Sequence, residues 1–146
     1  MQTNLVPMTI SHFEEIEPIL STEFDDFWNS SILKQELENP NSHYFVAIHN
    51  NSIVGFAGIW KAVDEYHITD IVVRKDLRCK GIGSHLLEKL IETAKLEKVV
   101  SVTLEVNINN VPAKKLYEKY GFQPLGIRKK YYNQTDDAVI MTLFLN

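Results

Sequence analysis

Residues 65–96 read EYHITDIVVRKDLRCKGIGSHLLEKLIETAKL. The opening EYHITDIVV is dense in β-branched and aromatic side chains and predicts a strand. From Ile82 onward the apolar positions Ile82, Leu86, Leu87, Leu90, Ile91 and Ala94 fall on one face of a helix. Between the two lies RCKGIGS, residues 78–84, with two glycines, two cations and no acid. The first N–H groups of a helix lack helical acceptors and sit at the positive end of its dipole, a geometry that binds phosphate. Gly81 and Gly83 permit close backbone approach, while Arg78 and Lys80 add full positive charges. A strand–helix connection with convenient glycines is the plain alternative for this turn taken alone.

Neither of two better-known phosphate loops fits. A Walker A loop needs four residues between its first glycine and Gly-Lys-Ser/Thr, and no such run is present. A dinucleotide fingerprint needs a third glycine where Leu86 stands, and it opens its fold, whereas this turn comes only after a hairpin and helices. Glu105, at about the distance of the ribose-binding acid, does not offset those two mismatches.

Outward from this stretch the chain alternates strand and helix signals. Leu5–Met8 predicts a short strand. Ser11 with Glu14 three residues later has the spacing of a capping box for the helix SHFEEIEPIL, which Pro18 should bend or end. A second helix fits Ser31 to about Glu38, stopped by Asn39-Pro40. HYFVAIH, the turn HNNS and IVGFAGIWKAV predict an antiparallel hairpin. After the long helix, SVTLEV is a strand and NNVPAKKLYEKYGF a short helix. Asn110 is placed to cap that helix, Pro112 suits its first turn, and Gly121 its C-terminal left-handed position. AVIMTLFL closes the chain as a strand. The order β-α-α-β-β-β-α-β-α-β-β predicts one mixed α/β domain over residues 1–146.

Composition narrows the function classes. Hydrophobic residues make up 45% and charged residues 23% of 146, ordinary for a soluble globular protein. The net charge of −4 argues against a general nucleic-acid binder and mildly favours a basic substrate. The single cysteine, Cys79, excludes an internal disulfide. No run approaches the ~20 apolar residues of a membrane helix, and the N-terminus has no signal-peptide pattern. A cytoplasmic protein is the expectation. His12, His43, His49, His67 and His85 show no metal-ligand spacing, so no metal site is expected.

Arg78-x-x-Gly81-x-Gly83 after a strand resembles the pyrophosphate loop of the GNAT N-acetyltransferases, which bind acetyl-coenzyme A, and the element order matches their acyl-CoA N-acyltransferase fold, a mixed, mostly antiparallel sheet flanked by helices. The resemblance implies that backbone amides from Cys79, Lys80, Gly81, Ile82, Gly83 and Ser84 hold the pyrophosphate. It implies also that the pantetheine arm pairs with Ile71, Val72 and Val73 like an added strand, which suits its peptide-like amides. Further on, LEVNINNVPAKKLYEKYGF and RKKYYNQTDDAVIM resemble the subgroup that acetylates the N-terminal alanine of a small-subunit ribosomal protein, the RimI type. FWNSS at 27–31 stands where that subgroup often has Pro-Trp-Ser.

By that resemblance Glu105 is the general base, directly or through water, Tyr117 the general acid, and Asn110 a coenzyme contact. Read alone, Glu105 is an exposed strand glutamate, Tyr117 a half-buried helix aromatic and Asn110 a plain cap. Asn110, Ala113 and Tyr117 share one helix face. Two positions depart from the subgroup: Asn107 stands where arginine is common, and Cys79 replaces a loop arginine. Glu23, Asp25 and Asp26 beside Phe27-Trp28 fit either a basic peptide or a solvated acidic loop, and Tyr131-Tyr132 either an acceptor wall or strand packing. The expected activity is acetyl-CoA-dependent Nα-acetylation of a protein or peptide N-terminus by direct attack on the thioester, with strand N–H groups near Val72 and Val73 stabilising the oxyanion. A small-amine or lysine acetyltransferase, and a silent acyl-coenzyme A sensor, are the alternatives.

Overall fold

The computed structural model describes residues 2–24, 30–132 and 135–145. Its elements run β1 (Asn4–Pro7), α1 (Ile10–Ile16), α2 (Ser30–Glu38), β2 (Ser42–His49), β3 (Ser52–Ala62), β4 (Glu65–Val73), α3 (Ile82–Leu96), β5 (Ser101–Asn107), α4 (Val111–Lys119), β6 (Gln123–Tyr132) and β7 (Asp136–Phe144). The strands form a mixed sheet in the order β1-β2-β3-β4-β5-β7-β6. Pairing is antiparallel for β1–β2, β2–β3, β5–β7 and β6–β7, and parallel for β4–β5. The chain forms two compact units, residues Met1–Trp60 with Thr69–Glu92, and Lys61–Ile68 with Thr93–Asn146.

In the first unit, the hairpin signal HNNS becomes a tight turn with Asn50 and Asn51 at φ +50° and +64°. Two consecutive positive φ values give the twist that a two-residue hairpin needs, and asparagine tolerates them. The capping box of α1 lies two residues earlier than its sequence pattern suggests. Thr9, not Ser11, is the cap: its backbone is extended, and its hydroxyl accepts the His12 N–H at 3.3 Å. The His12 ring, not Glu14, closes the box by accepting the Thr9 N–H at 3.0 Å. An imidazole has replaced the usual carboxylate, which the Ser/Thr-x-x-Glu/Gln pattern cannot detect. The α-helix ends at Ile16, near Pro18 as expected, and the chain continues as a 3-10 turn at Glu17–Ile19 and a π turn at Leu20–Phe24.

Phe13, Ile16, Leu20, Phe24 and Leu33 pack with Tyr44, Val46, Phe56 and Val72 in the core of this unit. Ile82, Leu86, Leu87 and Leu90 on α3 are buried, as their periodicity requires. Gly55 sets how near α3 comes: a methyl group there would meet the Val72 carbonyl at 2.9 Å, Leu86 at 3.2 Å and Ile82 at 3.3 Å. Gly58 serves the Tyr44 ring, which is only 5% exposed. A Cβ at Gly58 would lie 2.3–2.6 Å from three atoms of that ring. Gly58→Ala should therefore destabilise the fold by roughly 2–3 kcal/mol, the upper range for overpacking. Urea unfolding should show a lower midpoint at unchanged slope.

In the second unit, β5 is almost wholly buried, and Val102, Leu104, Val106, Phe122, Ala138, Val139 and Met141 are all core residues. Along β5 and β7 the register runs unbroken from Ser101 opposite Phe144 to Asn107 opposite Ala138. The outer strand β6 is less regular. Its pairing with β7 shifts between Pro124 and Gly126 and again between Arg128 and Tyr132, where Lys130 has φ +50°. Asp137 secures the second irregularity by accepting the Lys130 N–H at 2.9 Å and the Lys129 ammonium at 3.3 Å.

Candidate active site

The glycine turn belongs to the first unit. After β4 the chain makes a 3-10 turn at Lys75–Leu77, and Cys79 and Gly81 then take φ +64° and +87° before α3 begins at Ile82. The first helical bond runs from the His85 N–H to the Gly81 carbonyl at 3.1 Å. The amides of Ile82, Gly83 and Ser84 thus precede the helical ladder. Cys79, Lys80 and Gly81 are exposed, and a Cβ placed on Gly81 meets nothing within 4 Å. The backbone is open to solvent where an anion would approach, so the residues present fit a pyrophosphate.

Arg78 has a different task from the free cation of the sequence reading. Its guanidinium donates to the Phe24 carbonyl at 2.7 Å and the Val73 carbonyl at 3.2 Å. It ties the turn to the end of β4 and to the π turn, and its charge stays nearby. Along β4, the Arg74 N–H donates to Val54 on β3. Strand alternation then turns the Val72 backbone toward β3 as well, and the backbones of Ile71 and Val73 away from it. By that alternation Ile71 and Val73, rather than Val72, suit pairing with an added strand. The Ile71 N–H donates to its neighbour's Asp70 carboxylate at 2.8 Å.

The second unit carries the proton-handling candidates. Asn110 caps α4 as expected, its side-chain oxygen accepting the Ala113 N–H at 3.2 Å. Tyr117 is half-buried, with its ring 5.8 Å from that of Phe122. Gly121 takes φ +96° just past the helix, and the Phe122 N–H returns to the Tyr117 carbonyl at 3.1 Å. Asn107 is structural in this chain: it donates to Asp136 at 3.0 Å and accepts the Asn109 N–H at 2.9 Å, bracing the chain before α4.

Glu105 is not a lone strand glutamate. Nη1 of Arg128, on β6, lies 3.0 Å from both of its oxygens. The same guanidinium lies over the Tyr131 ring, 4.6 Å from its centre. Burial first, and then the charge of Glu105 and a hydrogen bond to it, push the Tyr131 phenol above its usual range, against the lowering effect of Arg128. Arg128 went unnoticed in the sequence because it sits in the cationic run RKK and no spacing rule links it to a residue two strands away. Of the other candidates, Glu23 is exposed at the end of the π turn. Asp25, Asp26, Phe27 and Trp28 lie outside the described residues, as does the Tyr132 side chain. Among the described residues no group of three His, Cys, Asp or Glu side chains is arranged to hold a metal ion, and no helix is long and apolar enough to cross a membrane.

The sequence profile of the Acetyltransferase (GNAT) family matches residues 13–122. The chain belongs to this family. As a GNAT acetyltransferase it is similar to the putative [ribosomal protein bS18]-alanine N-acetyltransferase of Bacillus subtilis, 37% identical over 94% of this chain and 90% of that relative. Among solved structures, the ribosomal-protein-S18-alanine N-acetyltransferase of Escherichia coli superposes with a TM-score of 0.90 at 26% identity, covering 99% of this chain and 95% of the other. A putative streptothricin acetyltransferase from Bacillus anthracis, solved in complex with acetyl coenzyme A, is 31% identical with a TM-score of 0.68 over 77% of this GNAT chain and 68% of its own.

Proposed function

We propose that this chain, one N-acetyltransferase domain over residues 1–146, transfers acetyl from acetyl-coenzyme A to the N-terminal α-amine of a protein, the acceptor being the N-terminal alanine of a ribosomal protein. The observation that carries the reading is the near full-length similarity to the Bacillus subtilis relative, whose name states that acceptor. A ribosomal acceptor implies a cytoplasmic enzyme that needs no nucleic-acid contact of its own.

In this reading the amides of Cys79 to Ser84, with Lys80 and the tethered Arg78, hold the pyrophosphate, and the Ile71 carbonyl and the Val73 N–H receive the pantetheine. Asn110 is a further coenzyme contact. Acetyl-coenzyme A supplies the activated acyl group as a thioester. The acceptor amine, with a reference pKa of about 7.7–8.0, gives its proton to Glu105 directly or through water. The neutral nitrogen forms the new C–N bond as the C–S bond breaks. The Val73 N–H stabilises the negative oxygen, and Tyr117 returns a proton to the departing thiolate.

A peptide panel differing only at the first residue tests the acceptor. Free N-terminal alanine followed by basic residues should react best, and an internal lysine in an N-terminally blocked peptide poorly, because its reference pKa of about 10.4 leaves little neutral amine. Efficient modification of that lysine would overturn the Nα reading. Glu105→Gln should lower turnover at neutral pH by about tenfold or more, with the loss easing as pH rises and more acceptor is already neutral. Wild-type turnover in this variant would favour a sensor or another base.

A further inference from the structure

The mechanism above uses Glu105 but leaves Arg128 without a task, although Arg128 reaches both Glu105 oxygens. The sheet explains how they meet. Glu105 lies opposite Ile140 on β7, and Ile140 lies opposite Gly126 on β6, so Arg128, two residues further along, shares their face. Strict alternation would put Tyr131 on the other face. The irregularity between Arg128 and Tyr132 removes that restriction, and the ring comes to lie under the guanidinium. No other charge from β7 competes here: it contributes Ile140 and Ala138 between the two, while its Asp136 and Asp137 are engaged by Asn107 and by Lys129 with Lys130.

The pair is poised to exchange partners. The Arg128 side chain is 56% exposed and that of Glu105 26%. An ion pair this accessible to water is weak, so another cation can displace it. Near neutrality the acceptor arrives mostly as an ammonium ion and seeks the same carboxylate. Stacking on Tyr131 gives the guanidinium a seat it can keep after release. A positive charge held beside the bound amine disfavours the ammonium and favours the neutral nucleophile.

We propose that Arg128 is a positioning residue for the transfer reaction: it holds the Glu105 carboxylate in the free enzyme, yields it to the acceptor, and from its seat on Tyr131 biases the bound amine toward its uncharged form. This rests on Glu105 being the base. The test is the pH dependence of kcat and KM for a peptide with a free N-terminal alanine, in wild type, Arg128→Gln and Arg128→Lys. In Arg128→Gln the rise of kcat should move up by about half a pH unit or more, the size expected for one solvent-screened charge a few ångströms away. Turnover should fall about three- to tenfold at pH 7 and by less than about twofold at pH 9, without a rise in peptide KM. Arg128→Lys, which keeps the charge, should recover most of the loss. An equal loss at every pH in both variants would mean that Arg128 only braces the strand, and unchanged profiles would mean that it does nothing; either overturns the proposal. A readout free of activity is the Tyr131 phenol, followed by ultraviolet absorbance against Tyr131→Phe. Its titration should move up in Arg128→Gln, and an unmoved titration counts against the contact. If Glu105→Gln keeps wild-type turnover, the functional reading fails and takes this proposal with it. If Glu105→Gln is impaired while Arg128→Gln keeps the wild-type profile, the Arg128 proposal alone is lost.

Discussion

Gly83→Asp should weaken coenzyme A binding by at least about a hundredfold, equivalent to about 2.7 kcal/mol, with no loss of fold stability. Gly83 lies in the first turn of α3, where the helix amides precede the hydrogen-bonded ladder. An aspartate in a first turn interacts favourably with the helix dipole, so the helix itself should be unharmed. The same carboxylate would stand where the pyrophosphate has to come, adding repulsion and bulk. That opposition of signs makes the test clean, since stability and affinity should part company. Gly81→Glu is a harsher version: φ +87° forces a side chain into the left-handed region, at about 1–2 kcal/mol, before any charge is considered. Calorimetric titration with coenzyme A, beside a thermal melt, decides the matter. Wild-type affinity in Gly83→Asp with an unchanged melt would remove the pyrophosphate from this turn.

Tyr117→Phe should reduce turnover by something on the order of a hundredfold while coenzyme affinity stays near wild type. Only the hydroxyl is lost. The ring keeps its contact with Phe122 and its half-buried seat on α4, so neither the helix nor the bend at Gly121 should respond. A thiolate leaving group gains most from a proton donor late in the reaction, so the defect should appear in kcat rather than in the peptide KM. Faster turnover with an acyl donor whose thiol is more acidic would mark the lost step as leaving-group protonation. If Tyr117→Phe turns over like wild type with the natural thioester, the acid must be sought elsewhere.

Read from residues 65–96 alone, the strand, the glycine turn and the amphipathic helix were legible, because each depends on signals within a few residues. A run of β-branched and aromatic residues, a helical stripe from Ile82 to Ala94, and glycine at Gly121 before a reversal all state a local backbone preference. Local rules failed where a side chain of unexpected type did the work of the expected one, as His12 does in closing the α1 box around Thr9.

The sequence by itself determined the family, the element order, the glycine turn at Cys79–Ser84, and the candidates Glu105 and Tyr117, since motif spacing is a property of the chain. Tertiary structure alone decided what each candidate touches. It bonded the Arg74 N–H to Val54 on β3, spent the Arg78 guanidinium on two carbonyls and made Asn107 a brace for Asp136. It also carried Arg128 and Tyr131 across β7 to Glu105, through a strand register and an irregularity near Lys130 that no local pattern encodes. The physical reason is range: backbone preference is set by neighbours in sequence, whereas a carboxylate's partner is set by which strands the sheet brings side by side.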